Sequence, residues 1–423
     1  MGFILAAIPF FLLAIAIELW FDKRRATGYY QFNDAINSLQ LGTLSRIIGL
    51  LKAAIPFSLY TLIYQNYALW QLPESSLLVW LFAFIAYDLG YYWVHRLSHR
   101  INVMWASHVV HHSSEEYNLT TALRQTSTPA LFAWAILLPL AFFGISPMLL
   151  ISCGALNLIY QFWVHTRHID KMPAWFEAIM VTPSHHRVHH ALNRDYIDKN
   201  YAGVFILWDK LFGSFQAEKD NINIVYGVSH QLKSWNPIWA NFKVYRDLLT
   251  DTLNTQNWRD KFQLWFRPPG WRPQDVTDTH PRPWVTTKSL IKYDNQLSYM
   301  SKAYILFQFV ITIALSFFLL LSASNFSLLT NVLLCGIAMF CLFATSTLQE
   351  QKPASFLFET LRIILVSSTV AYFSPAEIQG TVGVVTLCYC LISLMGLLIL
   401  KRKQQRQTLS LAPTQSLANE AEN

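Results

Sequence analysis

Nine apolar stretches, each long enough to cross a lipid bilayer as one helix, constrain the fold of this chain more than any other feature. A helix needs about 20 apolar residues to span the hydrocarbon core. Hydrophobic residues make up 53% of the 423 residues and charged residues 13%, against roughly a quarter charged in soluble proteins. We therefore expect an all-α integral membrane protein, a multispan helical bundle. The predicted spans cover residues 3–21, 45–65, 76–94, 128–144, 146–164, 303–323, 326–347, 356–373 and 380–400.

Basic residues predict the orientation of these spans. Clusters at 23–25 and 401–403 follow the first and the last span, and such clusters stay on the cytoplasmic side of a membrane. Nine spans that start outside place both clusters there, together with the segments 95–127 and 165–302. The net charge of +7 then reflects loops and contact with anionic lipid. No basic stripe interleaved with aromatic residues indicates a nucleic-acid partner.

One long polar stretch divides the chain. We expect a membrane block at 1–164, a cytoplasmic catalytic region at 165–302, C-terminal transmembrane helices at 303–400 and a tail at 401–423. The tail is predicted to be disordered because it is rich in Gln, Ser, Thr, Ala and Glu, which cannot bury enough apolar surface to offset the entropy of ordering.

Histidine is concentrated in a narrow part of the chain, where 11 of 13 lie between His95 and His190. Three motifs, HRLSH (95–99), HVVHH (108–112) and HRVHH (186–190), space histidines three or four residues apart, which places them on one helix face. Imidazoles so placed can share a metal ion and suit zinc, iron, copper and nickel.

Eight such nitrogens are too many for one four-coordinate ion, so the motifs predict two metals in a helical cap at the cytoplasmic ends of the spans. A further histidine follows a span at the same depth. The predicted metal ligands are His95, His99, His108, His111, His112, His165, His186, His189 and His190.

Three more polar residues are expected around these ligands. Asp88 lies seven residues before His95 and near the inner end of a span, so we expect it to accept the distal N–H of a ligand histidine. Asn118 follows the second motif and is expected to orient water or substrate. His185 is expected to contact the ligand histidines from outside the metal site or to lie at the surface. The sequence leaves open whether His185 or His168 binds metal.

The motifs and their surroundings resemble a known superfamily. The three histidine motifs in a multispan protein are similar to those of the fatty acid hydroxylase/sterol desaturase superfamily. The stretches YDLGYYWVHRLSH, HHSSEEYNLTTALRQ and TPSHHRVHHALNRDYIDKNYAGVFILWDKLFGSF resemble its ether-lipid-cleaving subgroup, within about residues 30–275. Arg100 departs from this pattern, because an acidic residue is expected after the first motif.

The resemblance implies a membrane monooxygenase that acts on a lipid, with two iron ions, O2 and an external electron donor. It implies the eight motif histidines as ligands, with His165 at the position of a further family histidine. Reduced tetrahydropterin is implied as the electron donor by resemblance alone. The expected reaction is oxidative cleavage of the ether bond of alkylglycerols.

Two alternatives remain at this point. Hydroxylation or desaturation of a sterol, carotenoid or fatty acyl chain would use the same motifs. A divalent-metal transporter or metal-binding membrane protein is the alternative outside enzymes, but transporters place their ligands near the bilayer midplane, and these histidines lie at the ends of spans. The sequence does not specify the lipid, the electron donor, the membrane or the oligomeric state, and zinc can replace iron at such ligands.

Overall fold

A computed structural model describes residues 2–52, 54–128, 134–374 and 379–420. Helices predominate in these residues, which form two isolated β-bridges and no β-strand. The chain forms two compact units, Met1–Tyr293 and Asp294–Asn423. The α-helices of the first unit are α1 (Gly2–Arg25), α2 (Phe32–Lys52), α3 (Ala54–Tyr67), α4 (Leu77–Arg100), α5 (Asn102–His112), α6 (Leu119–Ala122), α7 (Pro139–Phe142), α8 (Pro147–Trp163), α9 (Ala174–Glu177), α10 (Pro183–His189), α11 (Leu207–Leu211), α12 (Pro237–Asn254), α13 (Trp258–Phe266) and α14 (Gln274–Thr279).

The all-α membrane fold expected from the sequence is confirmed. Within the described ranges, five helices are long and apolar enough to cross a membrane, and all five coincide with predicted spans. They are Leu77–Arg100, Tyr299–Asn325, Leu328–Gln349, Ser355–Phe373 and Gln379–Arg402. The protein is therefore a multi-pass membrane protein.

Two predicted spans are shorter or broken in the structure. The span 146–164 corresponds to α8, whose 17 residues extend about 25 Å at 1.5 Å per residue. The span 128–144 is wrong as one continuous helix: 129–133 lie outside the described residues, and the rest forms a 3-10 helix at Trp134–Leu137 followed by the separate α7. Pro139 begins α7, and proline disrupts a helix that precedes it.

The structure describes two further predicted spans in part. The span 3–21 lies within α1, although the side chain of residue 5 is outside the described residues. The span 45–65 runs from α2 into α3, and residue 53 between them is also outside the described residues. The topology of nine spans stays a prediction.

A tight turn fixes the start of α8. Gly144 has a φ of +82°, and a Cβ there would lie 2.1 Å from the carbonyl oxygen of Trp70, so glycine is required at this position. The Ser146 hydroxyl accepts a hydrogen bond from Leu149 N at 3.1 Å, and Pro147 opens the helix.

Helix α4 is the centre of the first unit. It packs against α5 and α8, and its middle joins an apolar cluster formed with residues of α3, α7 and α8. The buried members of this cluster are Tyr60, Ala83, Leu140, Ala141, Ile145, Leu149 and Cys153. Because α4 is held on two sides, its last two turns have a fixed direction, and they carry the first histidine motif.

In the described part of the second unit, four α-helices form a bundle: α15 (Tyr299–Ser322), α16 (Leu328–Gln349), α17 (Ser355–Phe373) and α18 (Gln379–Glu420). Each helix contacts the next, and α15 contacts α18. Helix α18 continues through residues that we assigned to a disordered tail, and the division into four regions stays a prediction.

Two charged residues lie inside this bundle. Glu359 and Arg362 on α17 are fully buried and form an ion pair one turn apart. Tyr304 Oη donates to Glu359 Oε1 at 2.6 Å. This pairing explains how two charges can occupy an apolar span, since charged groups inside a membrane pair with one another.

Candidate metal centre

The structure brings all nine predicted ligands together, in two groups of ring nitrogens. In each group the ligand atoms lie within 4.8 Å of one another. The first group consists of His95, His99, His108, His112 and His189; the second group consists of His111, His165, His186 and His190. Rings of the two groups are adjacent, since His112 and His190 stack with their centroids 4.4 Å apart.

The two motifs with three histidines are each divided between the groups. The pairs four residues apart, such as His108 and His112 or His186 and His190, remain in one group because they share a helix face. The remaining histidine of each of these two motifs joins the other group, so His111 is separated from its neighbours on α5 and His189 from its neighbours on α10. Each group therefore combines residues from at least three segments of the chain.

Spacing within the groups fits metal coordination. In the first group, Nε2 of His108 lies 2.9 Å from Nε2 of His95 and 3.1 Å from Nε2 of His112. In the second group, Nε2 of His186 lies 3.0 Å from that of His165 and 3.1 Å from that of His190. Two nitrogens bound to one ion at about 2.1 Å lie about 3.0 Å apart at a right angle and about 3.4 Å apart at the tetrahedral angle.

Backbone carbonyls fix the tautomers of four ligands. The Nδ1–H groups donate to carbonyl oxygens, which only accept hydrogen bonds, so each Nε2 is left with a free lone pair directed at the group. The bonds are His95 to Tyr201 (2.6 Å), His111 to Arg124 (2.9 Å), His165 to Gln161 (2.8 Å) and His189 to Lys199 (2.9 Å).

Burial keeps these imidazoles neutral. Desolvation lowers the pKa of His111 to about 4 and that of His189 to about 3, so both rings carry a free lone pair at neutral pH. Nε2 of His99 and of His189 are buried and have no hydrogen-bond partner among the described residues. Clustered lone pairs without donors fit a bound cation, so the residues present fit a metal in each group.

Two buried aspartates hold the loop that orients the first group. Asp209 accepts hydrogen bonds from the backbone N–H groups of Tyr201 and Ala202, both at 2.8 Å, and from Ser214 Oγ at 2.7 Å. The Tyr201 carbonyl receives His95 Nδ1–H. Asp209 therefore positions a ligand through the backbone, which the sequence analysis did not identify.

Asp88 acts on the same loop and does not bond to a histidine. Its fully buried carboxylate accepts from Asn157 Nδ2 at 2.6 Å, from Val204 N and Phe205 N at 3.0 Å and from Trp208 Nε1 at 2.9 Å. The expected bond from a ligand histidine was wrong, because these four donors use the carboxylate. Asp88 supports the ligands by fixing residues 204–208.

Asn118 has a local structural role. Its Oδ1 accepts from Thr120 N at 3.0 Å and from Thr120 Oγ1 at 2.5 Å, which caps α6, and its Nδ2 donates to the Tyr29 carbonyl at 2.9 Å. These bonds engage Oδ1 and one N–H of Nδ2, and the expectation that Asn118 orients water or substrate stays a prediction.

The other two histidines of this region remain outside both groups. The ring of His185 lies 5.5 Å from that of Phe215, and its buried Nδ1 has no partner among the described residues. The ring of His168 lies 5.0 Å from that of Tyr29. The structure thus separates these two residues from the nine that converge.

An unpredicted acidic residue lies beside the first group. Asp198 Oδ1 is 3.7 Å from His99 Nδ1, and its Oδ2 is 3.3 Å from Arg100. Asp198 and Asn200 both have a left-handed backbone, with φ of +62° and +55°, which Asp and Asn tolerate better than most residues. The Asp and the Asn two residues apart in IDKN were the available sequence signal for this turn.

Two cavities contact the histidines from different directions. The first cavity, of about 180 Å³, contacts His95, His108, His111 and His165, and its other walls combine apolar side chains with polar ones such as Arg46. The second cavity, of about 170 Å³, contacts His99, His112, His189 and His190. Its other walls include Trp105, Asp198, Ser229, His230 and Trp284. Cavities thus reach the two histidine groups from two sides.

Comparison with known proteins agrees with this geometry. The model of the fatty acid hydroxylase family matches residues 80–214, which include every histidine of the two groups. Proteins named alkylglycerol monooxygenase are 39% identical over 366 residues (Homo sapiens), 36% over 367 (Danio rerio) and 33% over 361 (Xenopus tropicalis). Each alignment covers 85% of this chain and 80% of the relative. The chain belongs to the alkylglycerol monooxygenase family. No solved structure matches it.

Membership of the alkylglycerol monooxygenase family confirms the resemblance found in the sequence. The chain is an oxidoreductase of lipid metabolism, in a family that uses iron, and its histidine groups can hold metal. The metal-transporter alternative loses its basis, since the relatives are enzymes.

Proposed function

We propose that this protein is a di-iron monooxygenase that cleaves the ether bond of alkylglycerols. The observation that carries the proposal is the pair of histidine groups, four of whose histidines line the first cavity. One iron would be held by the first group and one by the second, as the donor sets and nitrogen spacings allow. Bound iron would supply the reductive activation of O2 that is needed to oxidise an unactivated C–H bond.

The reaction balances with one O2 and two electrons. One oxygen atom enters the C–H bond beside the ether oxygen, and the other leaves as water with two protons and two electrons from the reductant. The hydroxylated carbon is then a hemiacetal, which breaks down to a fatty aldehyde and glycerol. The protein's own residues would hold the alkyl chain in the first cavity, exclude bulk water and keep the ligand tautomers fixed.

A separate route for the reductant is part of the proposal. The Trp105 ring lies 5.1 Å from the His99 ring and 5.6 Å from the His112 ring, and Trp105 lines the second cavity together with Trp284. A planar heterocycle such as reduced tetrahydropterin could stack there. Arg100 near this cavity departs from the pattern of the family, so another external electron donor is the alternative to pterin.

We also propose that the centre faces the cytoplasm. The last turn of α1 carries Lys23, Arg24 and Arg25, and positive residues beside a span favour the cytoplasmic side. Protease protection of tagged protein in sealed vesicles tests this orientation.

The decisive experiment is anaerobic reconstitution with iron, followed by product analysis on an alkylglycerol, a fatty acyl lipid and a sterol, with and without reduced tetrahydropterin. We expect about two irons per chain and release of a fatty aldehyde from the alkylglycerol. Loss of both metal and turnover is expected for His111→Ala and for His189→Ala. Oxidation of the acyl lipid or the sterol instead would replace the ether-lipid assignment, and full metal content in both variants would refute the ligand assignment.

A further inference from the structure

The first cavity is too small for a whole long-chain lipid. Its volume is about 180 Å³, and an apolar cavity of about 150 Å³ is filled by one benzene molecule. By that measure it would hold about six or seven carbon atoms. If the proposed function is correct, most of a longer alkyl chain must lie outside the cavity while its ether carbon is near the histidines.

A surface groove continues from this cavity. The groove has a volume of about 600 Å³ and runs along α1 and the end of α8. Its outer wall includes Phe10 and Ile17, which are 71% and 48% exposed. Exposed apolar residues in a row favour cover by hydrocarbon over contact with water, and in a membrane protein that cover comes from lipid chains.

Two phenylalanines separate the groove from the cavity. Phe11 on α1 and Phe162 on α8 line both spaces, as does Ile159. The rings of Phe11 and Phe162 are stacked, with centroids 4.1 Å apart and an interplanar angle of 21°. Dispersion and apolar burial hold this pair together, and rotation of a ring would break no hydrogen bond.

We infer that the groove between α1 and α8 binds the alkyl chain of the substrate and that Phe11 and Phe162 form the passage through which the chain reaches the first cavity. The occupant is a single hydrocarbon chain of a membrane lipid. This inference rests on the proposed function and extends it, because it assigns the part of the protein that selects chain length.

Photo-crosslinking tests the route without turnover. An alkylglycerol with a 16-carbon chain and a terminal diazirine is irradiated with the full-length protein in nanodiscs under anaerobic conditions, and adducts are located by mass spectrometry. We expect adducts on the groove residues of α1 and α8, which excess unlabelled long-chain alkylglycerol suppresses. Adducts near Arg46 on α2, which also lines the first cavity, would overturn the inference and indicate an exit beside α2.

Chain-length kinetics provide a second test. Ala14 lines the groove but not the first cavity, so Ala14→Trp is expected to lower kcat/KM for a 16-carbon alkylglycerol by about tenfold, the effect of losing contacts to about two methylenes. A six-carbon substrate fits within the cavity and should be unaffected, which also shows that the variant is folded. Phe10→Ala, which also alters the groove and not the first cavity, is expected to raise KM for the long chain alone, since it removes binding contacts.

A variant at an exposed apolar residue outside the groove serves as a matched control. Phe82 on α4 is 48% exposed and lines neither the groove nor the cavity, so Phe82→Ala should leave the chain-length profile unchanged. Equal losses for short and long chains in both groove variants would overturn the inference while ether cleavage by the wild type still stands. If the wild type cleaves no ether lipid, the proposed function fails, and the crosslinking result still decides whether the groove binds a chain.

Discussion

His111 and His165 face each other through Nε2 atoms 3.3 Å apart, while the Nδ1–H of each ring donates to a backbone carbonyl. Both Nε2 atoms therefore carry lone pairs, and two lone pairs at this distance repel unless a cation lies between them. A cation between the two nitrogens removes this repulsion, so metal binding is expected to stabilise the fold at this pair.

Metal loading should stabilise the protein as a consequence. Iron(II) or zinc added anaerobically to stripped protein is expected to raise the thermal midpoint. At a free metal concentration 100 times Kd, each occupied site adds about 2.7 kcal/mol to the free energy of unfolding. Thermal scans of stripped and loaded protein in detergent measure this shift. His280→Ala, at an exposed position outside both groups, should show the same shift. Identical midpoints with and without metal would contradict binding by the two groups.

Asp88→Asn should destabilise the fold and weaken metal binding. The amide of Asn at position 88 has one acceptor oxygen for the four donors that now bind the carboxylate, and its own N–H groups would face some of those donors. Each buried polar group left without a partner costs about 1–3 kcal/mol. We expect lower unfolding free energy and lower iron content. Asp278→Asn, at an exposed position, is the control. Unchanged stability of Asp88→Asn would mean that the loop at 204–208 does not depend on the carboxylate.

Two glycines of α2 give a matched pair of variants. A Cβ at Gly42 would lie 2.4 Å from the carbonyl oxygen of Leu123, whereas a Cβ at Gly49 meets nothing within 4 Å. Gly42→Ala should displace the backbone next to Arg124, whose carbonyl orients His111, and so lower metal content and activity.

Gly49→Ala should instead leave metal content unchanged and raise stability by about 0.5–1 kcal/mol, as replacement of glycine in a helix interior does. Iron analysis and thermal scans of both variants measure the contrast. Equal behaviour of the two would show that α2 can move away from residue 123 at little cost.

The ion pair of the second unit predicts an asymmetry between single and double variants. Glu359→Leu leaves Arg362 as an unpaired buried charge, which in soluble proteins costs about 3–5 kcal/mol. Replacement of both, Glu359→Leu with Arg362→Met, is expected to restore most of the stability. Unfolding in mixed detergent micelles measures both effects. A double variant as unstable as the single one would show that the pair has a role beyond mutual neutralisation.

Local spacing predicted the eight motif histidines among those that converge, and His165 was predicted from its position after a span and from the family pattern. His95 and His99, or His108 and His112, lie four residues apart, and this spacing alone puts them on one helix face. The apolar runs likewise predict helices in the membrane, because the backbone must satisfy its own hydrogen bonds there. Where the prediction failed, at Asp88, the hydrogen-bond partners come from residues far along the chain, and motif spacing does not encode them.

By itself, the sequence determined the fold class, because periodicity and motif spacing act over one or two helical turns, and the resemblance of its histidine motifs to a known superfamily indicated the family and the nine residues that converge. Tertiary structure alone decided that His111 and His189 exchange groups, that Asp88 and Asp209 hold the loop beside His95, and that Phe11 meets Phe162. Those relationships depend on how helices far apart in the chain pack, and packing is set by the complementary shapes of many side chains together rather than by any short pattern.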